Sequence, residues 1–173
     1  ILELLREHRA TATFFLIGER AREHPELVRQ ICEDGHAIGN HSFSHTHPWK
    51  TAPWRSRSDV SRGDSTVRAA SSDDRAGELL FRPPYGKLNV GLLPFLSRNT
   101  SWWSVDPRDY ECETGLQVLD RVRPQLQSGE VVLLHDGRLG EQTGDVTVGA
   151  VRELLDYGAA NGIRFEALQV QPG

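Results

Sequence analysis

The chain has 173 residues, 38% of them hydrophobic and 25% charged, with a formal net charge of -4. That length suits one domain with a core of its own, and the composition is that of a soluble globular protein. The acidic balance and the lack of a basic run argue against a nucleic-acid surface, and no apolar stretch approaches a membrane span.

Residues 1–8 read as the back end of a helix, because Ile1-Leu2-Glu3-Leu4-Leu5 opens an amphipathic pattern with no cap before it. The sequence holds no methionine, so the expectation is a chain that lacks its beginning, with any signal peptide out of view. Residues 12–17 (Ala-Thr-Phe-Phe-Leu-Ile) are apolar and rich in strand formers, the pattern of a strand covered on both faces. Pro25 then opens a helix at its first turn. Leu27, Val28, Ile31 and Cys32 form its buried stripe, and Gly35 fits the residue just past its end. Cys32 and Cys112 match no zinc spacing and are too few for a disulfide framework, so Cys32 reads as a buried free thiol. Residues 36–40 read as the next strand, ending at His41.

From 48 to 77 the pattern fades into Ser, Arg and Asp, with Val60, Val67, Ala69 and Ala70 as the thin apolar face of one helix. Residues 78–82 form a strand running into a Pro-Pro-Tyr-Gly turn, and a weak helix follows over 90–98, blemished by Pro94. Residues 101–105 (Ser-Trp-Trp-Ser-Val) read as a strand, followed by a polar loop over 106–113. Thr114 caps a helix carrying Leu116, Leu119, Val122 and Leu126, closed by Gly129. Residues 131–134 are a fully apolar strand ending at His135. A Gly-rich loop leads to a last helix over 148–160 and a closing strand over 163–168.

Strands and helices alternate throughout, with six strands visible, which implies a parallel sheet with helices outside it, as a barrel or as an open doubly wound sheet. No Gly-x-Gly-x-x-Gly, phosphate loop, internal repeat or linker occurs. In either architecture the working groups gather at the carboxyl ends of the strands. His41, Arg82, Asp106 and His135 each fall just after a predicted strand.

His41 and His45 stand four apart, so one turn of helix would put both imidazoles on one side, and imidazole is the commonest protein ligand for divalent ions. Two ligands fall short of the three that a catalytic zinc takes from the protein. Amide hydrolysis also needs a base for water, oxyanion stabilisation and an acid for the leaving amine. Tyr85 is the first residue after the two prolines with a backbone N–H to offer. His135 has the titration range for the acid, and Asp109 or Asp106 could orient it. Taken singly each has a plain alternative: Arg82 as a surface ion pair, Tyr85 as turn packing, His135 as a strand-end cap. Together, at successive strand ends, they point to a site.

In order, Gly-Asn-His-Ser-Phe-Ser-His (39–45), Phe-Arg-Pro-Pro-Tyr-Gly (81–86), Trp-Ser-Val-Asp-Pro-Arg-Asp-Tyr (103–110) and Leu-Leu-His-Asp (133–136) resemble the motifs of the polysaccharide deacetylases, the NodB-homology domains of carbohydrate esterase family 4. The resemblance spans nearly the whole chain and is weakest over 48–77. It implies an α/β fold, a distorted (β/α) barrel of the glycoside hydrolase/deacetylase type, occupying 1–173 as a single domain whose first strand is missing. It implies removal of N-acetyl groups from chitin, chitooligosaccharides or peptidoglycan. By the same resemblance His41 and His45 are ligands of a divalent metal, usually zinc and sometimes cobalt or another ion. Arg82 holds the catalytic base, Tyr85 lends its N–H to the oxyanion, His135 is the catalytic acid, and Asp109 tunes that histidine. Leu133, Tyr110 and Pro84 belong to the substrate groove, with Leu133 at the acetyl methyl. A monomeric, secreted or cell-surface protein acting on an N-acetylated glycan is the expectation.

The departures matter equally. Family members begin with a strand ending in Thr-Phe-Asp-Asp-Gly, which carries the base and the third metal ligand, and no such segment occurs here. Asp73-Asp74 follows no strand and reads as a solvated face. Tyr110 stands where many members have Trp. The expectations are a poor enzyme in the chain as given, weak metal binding, Arg82 as an unpaired cation, exposed sheet edges, and one cleft shared by His41, His45, Arg82, Tyr85, Asp109 and His135. Two other readings compete: a non-catalytic glycan-binding remnant, and an unrelated hydrolase in which Asp136 joins the histidine pair.

Overall fold

A computed structural model describes residues 1–72, 79–96, 99–136 and 144–169. In chain order it carries α1 (Leu2–Glu7), β1 (Thr13–Leu16), α2 (Gly18–Glu23), α3 (Pro25–Glu33), β2 (Ala37–Asn40), α4 (Pro53–Ser71), β3 (Leu80–Phe81), α5 (Gly115–Val122) and α6 (Gly144–Asn161). Short 3-10 turns lie at Pro48–Lys50, Pro84–Gly86, Val90–Phe95, Asp109–Glu111 and Arg123–Gln125. No described helix is long and apolar enough to cross a membrane. The residues group into two compact units.

The first unit, Thr11–Ser101 with the residues from Ala167 on, is built on a parallel sheet in the order β1-β2-β3. Phe14 pairs with Ile38 and Phe15 with Gly39, and Asn40 pairs with Phe81. Gly39 is required here: a Cβ would stand 2.6 Å from the Phe15 ring and 2.9 Å from the Leu80 carbonyl oxygen. α3 begins at Pro25, where a missing N–H costs nothing, and buries Val28 and Ile31. It ends in a Schellman motif, with Gly35 at φ +83°, His36 N–H donating to Ile31 and Gly35 N–H to Cys32. Leu27, expected in the buried stripe, is instead exposed, and Cys32 is half-buried and in no disulfide.

The thin apolar face over 48–77 proves to be α4, whose buried residues are Ser56, Val60, Gly63, Val67, Ala70 and Ser71. Ala69 faces outward instead. These small side chains let α4 lie close on the segment after β2, and a Cβ on Gly63 would meet the Ser42 carbonyl carbon at 2.5 Å. α2 was not foreseen, being a six-residue helix too short for a periodic signal. The strand expected over 78–82 reduces to Leu80–Phe81, and the helix over 90–98 to a 3-10 segment that tolerates Pro94 because its turns are short. Asp73, Asp74 and Glu78 lie outside the described residues.

The second unit, Ile1–Ala10 with Trp102–Glu166, is mainly helical. Val105, Val118, Leu119, Val122, Ala150 and Leu154 form its core. Thr114 caps α5 by accepting the Gln117 N–H at 3.3 Å, as expected. The apolar stripe is rotated from the expected one, with Val118 buried and Leu116 exposed. Gly115 and Gly149 let α5 and α6 touch backbone to backbone, since a Cβ on Gly115 would sit 2.2 Å from the Gly149 carbonyl carbon.

Six strands were expected; three are present among the described residues, with two isolated parallel bridges, Phe81 to Thr100 and Val105 to Val132. The stretches 101–105 and 131–134 are each reduced to a single paired position, because only one residue of each meets a neighbour in register. Residues 163–168 form no strand. Ala167 and Leu168 spend their N–H groups on the Thr11 and Thr13 hydroxyls, at 2.9 Å each, instead of on backbone carbonyls.

Candidate active site

In the sheet unit, His41 and Arg82 are the residues immediately after β2 and β3. His41 N–H donates to Leu16 and Arg82 N–H to Asn40, so the ladder itself delivers both side chains to the same edge. A helical turn does not join His41 to His45. Ser42 and His45 have φ of 64° and 53°, left-handed values costing about 1–3 kcal/mol each for residues other than glycine. The loop offsets this with its own hydrogen bonds. Asn40 Oδ1 accepts the Ser42 N–H at 2.9 Å, Ser42 Oγ accepts the His45 N–H at 3.1 Å, and Asp59 of α4 receives both the N–H and hydroxyl of Ser44.

The result is a tight histidine pair, with Nε2 of His41 and His45 3.2 Å apart. His41 Nδ1 lies 2.7 Å from the Arg82 carbonyl oxygen. A carbonyl only accepts, so Nδ1 carries the proton and, in the neutral ring, Nε2 presents a lone pair. Backbone bonding of the far nitrogen is what commonly fixes the tautomer of a ligating histidine. Two nitrogens about 2.0–2.1 Å from a tetrahedral ion would be about 3.3–3.4 Å apart, so the pair fits two corners of such a site. Among the described residues no group of three or more His, Cys, Asp or Glu could hold a metal ion. The donors present therefore fit part of a coordination sphere.

Arg82 is buried, and desolvation lowers its guanidinium to about 10. The expectation of an unpaired cation is corrected: the guanidinium donates to the Ser101 carbonyl and hydroxyl at 3.4 and 3.3 Å and stacks 3.9 Å over the Phe15 ring. It was missed because Phe15 and Ser101 are remote in sequence and meet Arg82 only through the sheet. Tyr85 has φ 58°, a half-exposed ring between those of His45 and His47, and a backbone N–H with no partner among the described residues. Pro84 is fully buried and shapes the turn from inside.

In the helical unit, Leu133 N–H donates to Val105, placing His135 and the loop after Val105 at the end of the bridged pair. Asp109 is 4% exposed, and both its oxygens go to one residue: Oδ2 accepts the His135 backbone N–H at 2.7 Å and Oδ1 lies 2.8 Å from His135 Nδ1. Nδ1 is thus the protonated nitrogen, and Nε2 is left for chemistry. Asp106, the other candidate for that task, instead accepts the Arg108 N–H in a local turn. Thr147 of α6, buried and unforeseen, donates to the His135 carbonyl at 2.7 Å. Tyr110 meets His135 edge-on at 5.6 Å with its ring exposed, and Leu133 is buried.

The chain is similar to known deacetylases in sequence and in fold. The polysaccharide deacetylase family pattern matches residues 1–99. A peptidoglycan-N-acetylglucosamine deacetylase of Bacillus cereus is 33% identical over 95% of this chain and 76% of its own length. A chitooligosaccharide deacetylase of Azorhizobium caulinodans is 36% identical over 79% of this chain and 66% of its own. Among solved structures, the peptidoglycan deacetylase PdaC of Bacillus subtilis superposes with a TM-score of 0.83 at 26% identity, over 96% of this chain and 78% of that one. The fold is accordingly α/β, of the (β/α)-barrel type found in these enzymes. On the matched motifs and on the shared fold, the chain belongs to the polysaccharide deacetylase family.

Proposed function

We propose that this protein hydrolyses N-acetyl groups from a glycan containing N-acetylglucosamine (chitin, a chitooligosaccharide or peptidoglycan) with the help of a divalent metal, zinc being the first candidate and cobalt or another ion the alternative. The observation that carries the proposal is the His41–His45 pair, pinched to 3.2 Å with the far nitrogen of His41 already committed to a carbonyl. His41 presents its Nε2 lone pair, and His45 would present its own with its ring proton on Nδ1.

When bound, the metal supplies Lewis acidity toward the acetamide carbonyl and the attacking water. The chain's own groups do the rest. His41 and His45 bind through Nε2. Tyr85 N–H donates to the carbonyl oxygen as negative charge develops there. Arg82 is a positioning residue: its guanidinium, held by Phe15 and Ser101, would orient a carboxylate base, the group that family members carry on their Asp-Asp segment. As the water oxygen attacks the carbonyl carbon its proton passes to the carboxylate base that Arg82 would orient, the C–N bond breaks, and the amine nitrogen takes a proton from Nε2 of the doubly protonated His135 ring. Asp109 keeps Nδ1 of that ring protonated and stabilises the imidazolium before the transfer. Leu133 offers the acetyl methyl an apolar contact, while Tyr110 walls the sugar and Pro84 sets the turn. Chitin and peptidoglycan lie outside the cell membrane, so the protein is proposed to act secreted or at the cell surface.

The test is acetate release from N-acetylglucosamine oligomers, with and without added zinc or cobalt. Release that rises with metal and falls in His45→Ala supports the proposal. Release indifferent to both counts against it.

A further inference from the structure

The motifs leave one surface of the sheet unit unused. Beyond the histidine pair the aromatic rings continue: Tyr85 packs on His45 at 4.6 Å and on His47 at 4.7 Å, and His47 meets Trp49 at 5.9 Å. Trp49 is 68% exposed, although its neighbours fix it in place. Its indole N–H donates to the Leu88 carbonyl at 3.0 Å, and its backbone N–H to Nδ1 of His47 at 3.2 Å. Asn89 clamps the turn that carries it, donating to Pro48 at 2.7 Å and to the Ser56 hydroxyl at 2.9 Å. Lys87 Nζ stands 4.8 Å from the indole centroid.

An exposed tryptophan held this way has little conformational freedom left to lose on binding, and its only polar atom is already satisfied. What it offers is a ring face with a negative quadrupole, suited to the positively polarised C–H face of a β-linked pyranose. Lys87, whose Nζ lies over the indole ring, adds a donor for sugar hydroxyl or acetamide oxygens. The stepwise run from His45 through Tyr85 and His47 to Trp49 spans no more than a short oligosaccharide. The rings follow one another at centroid steps of 4.6, 4.7 and 5.9 Å, a spacing suited to successive sugar units.

We propose that Trp49, through the ring face away from Lys87, is a distal sugar-binding subsite that stacks a β-1,4-linked N-acetylhexosamine of the same chain whose acetyl group reaches the histidine pair. This rests on the deacetylase reading, but its readout is binding. The measurement is calorimetric affinity for chitobiose, chitopentaose and peptidoglycan glycan strands freed of peptide, on the natural protein and on Trp49→Ala, Trp49→Phe and Leu116→Ala. Trp49→Ala should weaken binding of at least one long glycan about tenfold, equivalent to ~1.4 kcal/mol, and change chitobiose affinity far less. The long glycan that loses affinity identifies the source. Trp49→Phe, which keeps a ring face, should retain most of the affinity, and Leu116→Ala, in the other unit, all of it. Unchanged long-glycan affinity in Trp49→Ala, or an equal loss on chitobiose, overturns the subsite. Absence of acetate release by the natural protein would instead overturn the deacetylase reading alone.

Discussion

At the scale of single residues, Asp109 concentrates the most consequence in one side chain. Its carboxylate is buried and spends both oxygens on His135, one on the backbone and one on the ring. Asp109→Ala therefore frees the imidazole to rotate and strands a backbone N–H. kcat should fall by about 10²-fold or more while KM moves little, because the lost interaction matters chiefly in proton transfer. A KM increase with kcat intact would show that Asp109 serves binding instead. The positions of His41 and Arg82 just after strands and of Tyr85 in the proline turn were legible in the sequence, and His135 follows the bridged stretch at Val132. Thr147, Asp59, Phe15 and Ser101 were not legible. Their partners lie 12, 15, 67 and 19 positions away and only the fold brings them together.

At the scale of elements, α4 sets the shape of the histidine loop. Gly63 lies against the Ser42–Phe43 backbone, where an added Cβ would stand within 2.5–2.8 Å of main-chain atoms and of Asn40 Oδ1. Gly63→Ala must push α4 or the loop aside. It should cost about 1–3 kcal/mol in denaturant unfolding and weaken zinc binding as well, and wild-type values for both would refute the role given to α4. α4 was faint in the sequence for the same reason that it packs closely. Its buried face is serine, glycine and alanine as much as valine, which leaves little apolar contrast.

α1 meets α6 through His8, whose ring nitrogens lie 2.9 Å from the Leu4 carbonyl and 2.9 Å from Asp156. The Leu4 carbonyl first, and Asp156 next, raise its pKa above the ordinary 6.5. A raised folded value means that the stabilisation is fully present below about pH 6.5 and is lost as pH climbs through the folded pKa. The stability gap between wild type and His8→Gln should be wider at about pH 5 than at about pH 8.5. A gap that widens toward alkaline pH would contradict the contact.

At the scale of the whole molecule, the alternation of strands and helices and the four ordered motifs were enough to read an α/β fold of the deacetylase type. Strand length was not legible. Apolar runs such as 131–134 mark what is buried, whereas pairing depends on neighbours in register, and Val132 meets only Val105. The histidine spacing suggested a helix for a similar reason. Four residues bring two rings together equally well through a loop with two left-handed residues, and sequence periodicity does not separate the two. The central claim is that the pinched histidine pair serves acetyl hydrolysis, and the most direct measurement is zinc-dependent acetate release from chitopentaose by wild type and His41→Ala. The account predicts release by the wild type that requires zinc and is abolished by the substitution. Release that persists in His41→Ala, or a wild type that binds the glycan and liberates no acetate, would contradict it.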